Sequence, residues 1–333
     1  MKSIFICNNE PVFHTVYTSE MIDTLKEEAN IDSKIYSYND IITSNGKFND
    51  TEYLFSTWGM PAFTEDEIKK HFPSLKCVFY GAGTVQQFAR PFLNCGVKVF
   101  SAWAANAVPV AEYTVAQIIL ANKSFFVSSR LFKSEGHRNA KVKFKEFPGN
   151  YCNKIGLIGA GMIGKLVIKL LKNYKFDVLV FDPFLPDETA FELGVTKTTL
   201  NEIFSKCSVI SNHLANNEQT QGMLNYSHFS KVGKNATFIN TGRGAQVVEK
   251  DLIRALKERP DFTAILDVTM PEPPEYGCEF YSLDNCILTP HIAGSSGDEC
   301  HRLAEYMLEE FRLYTKSKPT NYEVTMKMLE TMA

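Results

Sequence analysis

The run Lys154-Ile155-Gly156-Leu157-Ile158 leads directly into Gly159-Ala160-Gly161-Met162-Ile163-Gly164, and apolar residues then recur at Ile163, Val167, Leu170 and Leu171. That recurrence has the spacing of one helix face. Three glycines alone constrain little, but between a strand and a helix they prescribe one kind of turn. Gly159 permits the tight reversal, Gly161 lets the backbone approach a pyrophosphate, and Gly164 lets helix and strand pack closely. A helix starting at Met162 and Ile163 then offers free N–H groups and a positive dipole end to phosphates. A second strand, Val178-Leu179-Val180-Phe181, ends in Asp182. A carboxylate there accepts hydrogen bonds from a ribose 2′-hydroxyl and repels a 2′-phosphate, so NAD is expected in preference to NADP.

Strand-length apolar runs alternate with helix-period segments along most of the chain. Residues 2–7, 53–56, 77–80 and 98–101 read as strands, with helical patterns such as Ser19 to Glu28 and Glu65 to His71 between them. The runs are continuously apolar, which suits strands buried on both faces of a parallel sheet. Pro109 fits a first helical turn, and Val110 to Lys123 reads as a long apolar helix. Lys133 to Tyr151 is polar and basic without a clear period. A second strand–helix series runs from Ile155 to about Thr289. A last amphipathic pattern, Asp298 to Tyr314, spaces Leu303, Met307 and Phe311 by four. Alternation of this kind predicts an α/β, doubly wound architecture. Val78-Phe79-Tyr80-Gly81-Ala82-Gly83 echoes the glycine-rich run without its third glycine, and reads as another strand-to-helix turn.

A length of 333 residues exceeds one ordinary core, so two domains are expected. A formal net charge of −3 leaves no electrostatic footprint for nucleic acid or an anionic membrane. No stretch looks close to the roughly 20 apolar residues of a membrane span. The N-terminus reads as a strand rather than a signal peptide, so a cytoplasmic location is expected. The eight cysteines show no CxxC or metal-ligand spacing, and several sit in apolar runs. They read as small buried hydrophobes of a reducing compartment, and no metal is expected.

Three later segments each end a strand with reactive residues: Thr237 to Gly244 with Arg243, Ala264 to Pro273 with Asp267 and Glu272, and Cys286 to Gly294 with His291. Open α/β sheets bind ligands beyond the carboxyl ends of their strands. Arginine can grip a carboxylate by two parallel hydrogen bonds, and histidine can pass a proton to a carbonyl oxygen while a glutamate charges it.

Asn240-Thr241-Gly242-Arg243-Gly244, Leu266-Asp267-Val268 with Glu272-Pro273, and Thr289-Pro290-His291-Ile292-Ala293-Gly294 together resemble the D-isomer-specific 2-hydroxyacid dehydrogenase family. Val110-Ala111-Glu112-Tyr113-Thr114 and the glycine-rich run extend the resemblance over nearly the whole chain. It implies hydride transfer between NAD(H) and a 2-keto acid/D-2-hydroxy acid pair. Arg243 would hold the substrate carboxylate and keto oxygen, His291 would be the acid/base and Glu272 its partner. Asp267 would face the nicotinamide carboxamide. His213, Thr241 and Gly242 would join Gly159, Gly161, Met162, Ile163, Gly164 and Asp182 on the cofactor. Gly81, Ala82 and Gly83 would give backbone N–H groups to the substrate carboxylate, near Trp58. A Rossmann-type NAD-binding domain, residues 107–289, would be inserted in a flavodoxin-like substrate-binding domain built from 1–106 and 290–333. The family also implies a homodimer formed through Val110 to Lys123 and the arm that follows.

The chain departs from the family's Leu-His-x-Pro at Asn212-His213-Leu214-Ala215, where loss of the proline is expected to loosen the loop. Formate-acting relatives carry Gln at the position of Glu272, so this chain differs from them, whereas a phosphite-oxidising relative is compatible with the three residues. A non-catalytic NAD-sensing, corepressor-like binding protein is the alternative of a different class, and the complete Arg243, Glu272 and His291 set favours an enzyme. Between Ser56 and Phe63 the chain has Thr57, Trp58, Met60 and Phe63 but no lysine or arginine. With Trp103, these predict an apolar wall that favours apolar or weakly polar substrate side chains over a phosphorylated one, the alternative being that Trp58 and Trp103 pack in the core.

Overall fold

A computed structural model describes residues 2–330. Among these residues the strands are β1 (Ser3–Ile6), β2 (Ile31–Tyr36), β3 (Tyr53–Ser56), β4 (Cys77–Tyr80), β5 (Lys98–Ser101), β6 (Tyr151–Ile158) and β7 (Lys175–Phe181). They continue with β8 (Thr196–Lys197), β9 (Val209–Asn212), β10 (Thr237–Asn240), β11 (Thr263–Leu266), β12 (Cys286–Leu288) and β13 (Glu323–Val324). The chain divides into two compact units, one running to Asn106 and resuming at Ser295, the other Ala107–Gly294.

The first unit holds a sheet of order β13-β5-β4-β3-β1-β2, parallel except for β13. Without that edge strand it has the flavodoxin-like order, with its switch point between β1 and β3. Register pairing places Phe5, Phe55, Phe79 and Phe100 in one row across four strands. Phe55 and Phe79 stack at 5.1 Å, Phe79 and Phe100 at 5.0 Å, and Phe311 from the helix His301–Thr315 meets them edge-on. The alternate positions Leu54, Val78 and Val99 point to the opposite face, which is equally buried. Burial on both faces is why these strands read as unbroken apolar runs. The carboxylate of Glu310, wholly buried, accepts N–H bonds from Asn321 and Tyr322 at 3.0 Å and so pins β13 to the edge of β5.

The second unit is a sheet of order β12-β11-β10-β9-β6-β7-β8, parallel throughout, with helices on both faces. Its order reverses between β6 and β9, which sets the ligand crevice at the carboxyl ends of those two strands. Both sheets thus have the doubly wound parallel form expected.

Several local expectations are corrected. The second boundary falls at Gly294/Ser295 rather than at 289/290, which leaves His291 in the second unit. Pro109 lies inside the helix Trp103–Asn122, not in its first turn. Among the described residues that helix alone is long and apolar enough to cross a membrane by length and composition, so one stretch does reach the length that none was expected to approach. Its Ala111, Val115, Ile118 and Ala121 are buried with Ile155, Leu157 and Ile239, and packing on a sheet accounts for the composition. The segment expected to lack a period is largely the helix Phe125–Phe144, broken at Gly136 with φ +84°. Among its described residues only Ala140 is buried, so no packed face imprints a period on the sequence. Cys7, Cys77, Cys207 and Cys300 are buried as small hydrophobes, whereas Cys152 is exposed.

Close approach makes one substitution decisive. A Cβ on Gly164 would stand 2.2 Å from the carbonyl oxygen of Gly159. Gly164→Ala is therefore expected to lower the melting temperature by several degrees and to weaken NADH binding, through backbone displacement worth about 1–3 kcal/mol. Thermal melts and NADH fluorescence titration check this, and a variant that melts and binds like the parent contradicts it.

Candidate active site

Ile158 ends β6 and hands the chain to Gly159, whose φ of +95° only glycine adopts at ease. A Cβ there would also stand 2.6 Å from the His213 carbonyl oxygen at the end of β9. The helix Met162–Leu171 begins with no side-chain cap at Gly161, and a Cβ on Gly161 would meet nothing within 4 Å. Its first N–H groups, including those of Met162 and Ile163, thus face an open approach suited to a pyrophosphate. Asp182 accepts from the N–H of Ala160 at 2.7 Å and from that of Phe184 at 2.8 Å, so it anchors the glycine-rich turn to the end of β7. Each carboxylate oxygen keeps a second lone pair for a ribose hydroxyl.

Arg243, Glu272 and His291 all belong to the second unit. His291 Nδ1 lies 2.6 Å from Glu272 Oε1. With Nδ1 engaged, Nε2 is the nitrogen left to exchange a proton. His291 sits at φ +55°, a left-handed conformation that costs a non-glycine residue energy and persists only where neighbours enforce it. They do so through Asp267. The His291 N–H donates to the Asp267 carbonyl at 3.0 Å, the Ile292 N–H to Oδ1 at 2.8 Å, and the Ala293 N–H to Oδ2 at 2.9 Å. Thr289 Oγ1 adds a bond to Oδ1 at 2.6 Å and itself pairs with Tyr113 OH at 3.2 Å. Asp267, expected to face the nicotinamide, is 2% exposed and holds the His291 loop. On the Glu272 side, the Met270 N–H donates to Glu249 Oε1 at 2.7 Å. Burial pushes the Glu249 carboxyl above its ordinary pKa, and that hydrogen bond opposes the shift.

Arg243 follows β10. Its Nη1 donates to the Gly242 carbonyl at 2.8 Å. Burial draws the guanidinium pKa down from its ordinary value, and the negative charge of Glu272 works against that shift. Thr241 is buried, with its Oγ1 3.4 Å from Thr114 Oγ1. His213, expected to contact the cofactor, is only 9% exposed: its Nε2 lies 3.0 Å from Ser211 Oγ and its Nδ1 has no partner among the described residues. The His213 carbonyl stands beside Gly159 of the glycine-rich turn.

In the first unit, Gly81 N–H is spent on the Ser56 carbonyl at 2.7 Å and Ala82 N–H on that of Tyr80 at 2.9 Å. The expectation of three free donors is therefore corrected to Gly83, whose N–H makes no backbone bond among the described residues. Thr57 is buried and donates to the Gly81 carbonyl at 2.7 Å. Phe63 is buried among Tyr38, Phe72 and Phe92, and Trp103 packs edge-on against Tyr322 at 5.6 Å. Phe63 belongs to the core, whereas Trp103 is partly buried. Trp58 and Met60 remain partly exposed. The sequence reading missed Asn212, Gln246 and Glu249 as support residues. Tyr113 and Thr289 lay within its quoted blocks but carried no assigned role.

Burial lowers the His213 imidazole pKa from the usual 6.5 to about 4. Between those values the unfolded chain binds a proton that the folded chain refuses. Stability is therefore lost as pH falls from 6.5 towards 4, by an amount on the order of 3 kcal/mol at the acid end, and is unaffected above 6.5. His213→Gln is expected to flatten the fall of the melting temperature across that window. An unchanged slope contradicts the assignment.

Residues 116–293, more than half of the chain, match the family described as D-isomer specific 2-hydroxyacid dehydrogenase, NAD binding domain. A Bacillus subtilis protein named as a 2-hydroxyacid dehydrogenase is 33% identical over 208 residues, 60% of this chain and 59% of that protein. A hydroxypyruvate reductase of Thermotoga maritima is 30% identical over 218 residues, 65% of this chain and 69% of that protein. Matches to the D-3-phosphoglycerate dehydrogenases of Archaeoglobus fulgidus, Methanocaldococcus jannaschii and Bacillus subtilis cover 40–44% of their lengths, so the chain spans about half the length of the first curated relatives it matches. The crystal structure of apo D-mandelate dehydrogenase from Rhodotorula graminis superposes with a TM-score of 0.80 at 17% identity over 97% of both chains, a likeness of fold. The matched region carries the glycine-rich turn, Asp182, Arg243, Glu272 and His291. NAD is the cofactor of this domain, and the chain belongs to the D-isomer specific 2-hydroxyacid dehydrogenase family.

Proposed function

We propose that the protein is an NAD-dependent dehydrogenase that interconverts a 2-keto acid and a D-2-hydroxy acid. The observation that carries this reading is the His291–Glu272 pair, 2.6 Å apart through Nδ1, with Nε2 left for proton transfer. NADH supplies a hydride to the keto carbon when bound. Arg243 binds the substrate carboxylate and stabilises negative charge on the keto oxygen as that bond is reduced. His291 Nε2 gives that oxygen its proton, and Glu272 stabilises the imidazolium that must be present beforehand. Reduction consumes one proton, so falling pH favours the hydroxy acid. Asp182, which disfavours a 2′-phosphate, supports NADH over NADPH.

The partly exposed Trp58 and Met60, in a segment without lysine or arginine, support keto acids with apolar or weakly polar side chains. A phosphorylated side chain needs cationic or multiple N–H partners to offset its desolvation. The same protein is proposed to act as a homodimer. The helix Phe125–Phe144 and its neighbour line a cavity of about 570 Å³ with Leu120, Phe125, Phe132 and Phe144. Phe125 and Phe132 are each about half exposed, and a second copy of this arm would cover them.

NADH oxidation with pyruvate, 2-ketoisocaproate, phenylpyruvate, hydroxypyruvate and 3-phosphohydroxypyruvate tests activity and side-chain preference together. The parent is expected to turn over with NADH far better than with NADPH, and His291→Ala to lose roughly 10² to 10⁴ in rate. Arg243→Ala is expected to raise the keto-acid KM and to lower kcat. Normal turnover by His291→Ala refutes the acid/base role, and preference for the phosphorylated acid refutes the apolar wall. Sedimentation equilibrium is expected to give twice the chain mass for the parent and the single-chain mass for Phe132→Glu. A monomeric parent refutes the dimer.

A further inference from the structure

Beneath Arg243, the side-chain amides of Asn212, Asn240 and Gln246 are wholly or almost wholly buried. They satisfy one another and the two loops above them. Asn212 Nδ2 donates to Asn240 Oδ1 at 3.0 Å and to Gln246 Oε1 at 2.6 Å. Asn240 Oδ1 also accepts the Gly242 N–H at 3.1 Å, and Asn240 Nδ2 donates to the Arg243 carbonyl at 3.3 Å. Gln246 Oε1 also accepts the Arg243 N–H at 3.2 Å. On the other side, Gln246 Nε2 donates to the carbonyls of Leu214 at 2.7 Å and Ala215 at 3.0 Å, while Asn212 Oδ1 accepts the Leu214 N–H at 3.3 Å.

We propose that Asn212 and Gln246 are positioning residues for Arg243: they fix the backbone on which the guanidinium stands by tying it to the loop after β9. The Arg243 peptide is held on both sides, its N–H by Gln246 and its carbonyl by Asn240, so its side chain leaves from a fixed base. Each oxygen of Asn240 and Gln246 accepts two bonds, and both amide protons of Asn212 and of Gln246 are donated. A buried network satisfied to this degree admits few alternative arrangements, because any rotation strands a polar atom away from water. The tie reaches Leu214 and Ala215, the stretch where this chain lacks the proline of the family pattern, and supplies by side-chain bonds the order that a ring would impose.

The proposal rests on the reading of Arg243 as the group that grips the keto acid, and a double-mutant cycle separates the two. The parent, Gln246→Leu, Arg243→Ala and the double variant are compared by kcat/KM for the preferred keto acid at saturating NADH. Gln246→Leu is expected to lower kcat/KM by roughly tenfold or more, mostly through KM, because it strands the Arg243 N–H and the Asn212 amide. In the Arg243→Ala background the same change is expected to cost less than about twofold, since a residue acting through Arg243 has nothing left to act through. An equal loss in both backgrounds, or no loss in the parent background, overturns the proposal. A normal kcat/KM for Arg243→Ala overturns the reading beneath it, and the proposal with it. If Gln246→Leu does not accumulate as folded protein, the paired Asn212→Leu/Gln246→Leu change removes both ends of the 2.6 Å bond and is read in the same cycle.

Discussion

Asp267 receives three consecutive backbone N–H groups, one on its carbonyl and one on each carboxylate oxygen. Much of the candidate chemistry depends on that convergence. A left-handed histidine is unfavourable in isolation, and a loop of Pro290 to Gly294 has no ladder partner to hold it. The Asp267 carboxylate takes two of those amide hydrogens and the Thr289 hydroxyl, and the Asp267 carbonyl takes the third, so the loop's donors and the buried acceptors satisfy one another. The imidazole therefore meets Glu272 from a backbone that cannot drift. Thr289 and Tyr113 extend the same arrangement into the helix Trp103–Asn122, so the histidine loop is anchored in the packed core of its unit.

The arginine loop is held by different means. A second carboxylate beneath Arg243 would pair with the guanidinium and compete with an anionic substrate, whereas neutral amides fix the backbone and leave the positive charge free. Burial still weighs on that charge, and Glu272 is the group that offsets it. One glutamate thus bonds the His291 imidazole and supports the Arg243 charge.

The sheets were legible because their strands are buried on both faces: Phe55, Phe79 and Phe100 stand in continuous apolar runs, and such runs announce themselves. The glycine-rich turn was legible because its spacing answers a steric demand at Gly159 and Gly164. Arg243, Glu272 and His291 were found from their places at strand ends and from the family's blocks. What escaped was what depends on side-chain partners remote in sequence. Asn212 and Gln246 are 34 positions apart and read individually as ordinary polar residues. The helix Phe125–Phe144 hid because it buries almost nothing that would print a period. Phe63 read as pocket lining because composition cannot tell an aromatic on a wall from one in a core, and its burial among Phe72 and Phe92 decides the matter.

The first unit is assembled from two stretches separated by 188 residues of the other, Ala107–Gly294. Its helix His301–Thr315 brings Leu303, Met307 and Phe311 onto the aromatic row of β1, β3, β4 and β5, and Glu310 secures the closing strand. On a ribosome, which releases the chain from its N-terminus, those covering residues emerge after the whole of Ala107–Gly294. The intervening unit is continuous, so it is set to fold while Phe55, Phe79 and Phe100 of the earlier segment wait for Phe311 and Tyr314. Phenylalanines exposed along parallel strands are adhesive, and a wait of this length is the interval in which a nascent chain most needs a chaperone. The order of synthesis thus lets the continuous unit have all of its strands before the split unit has its covering helix.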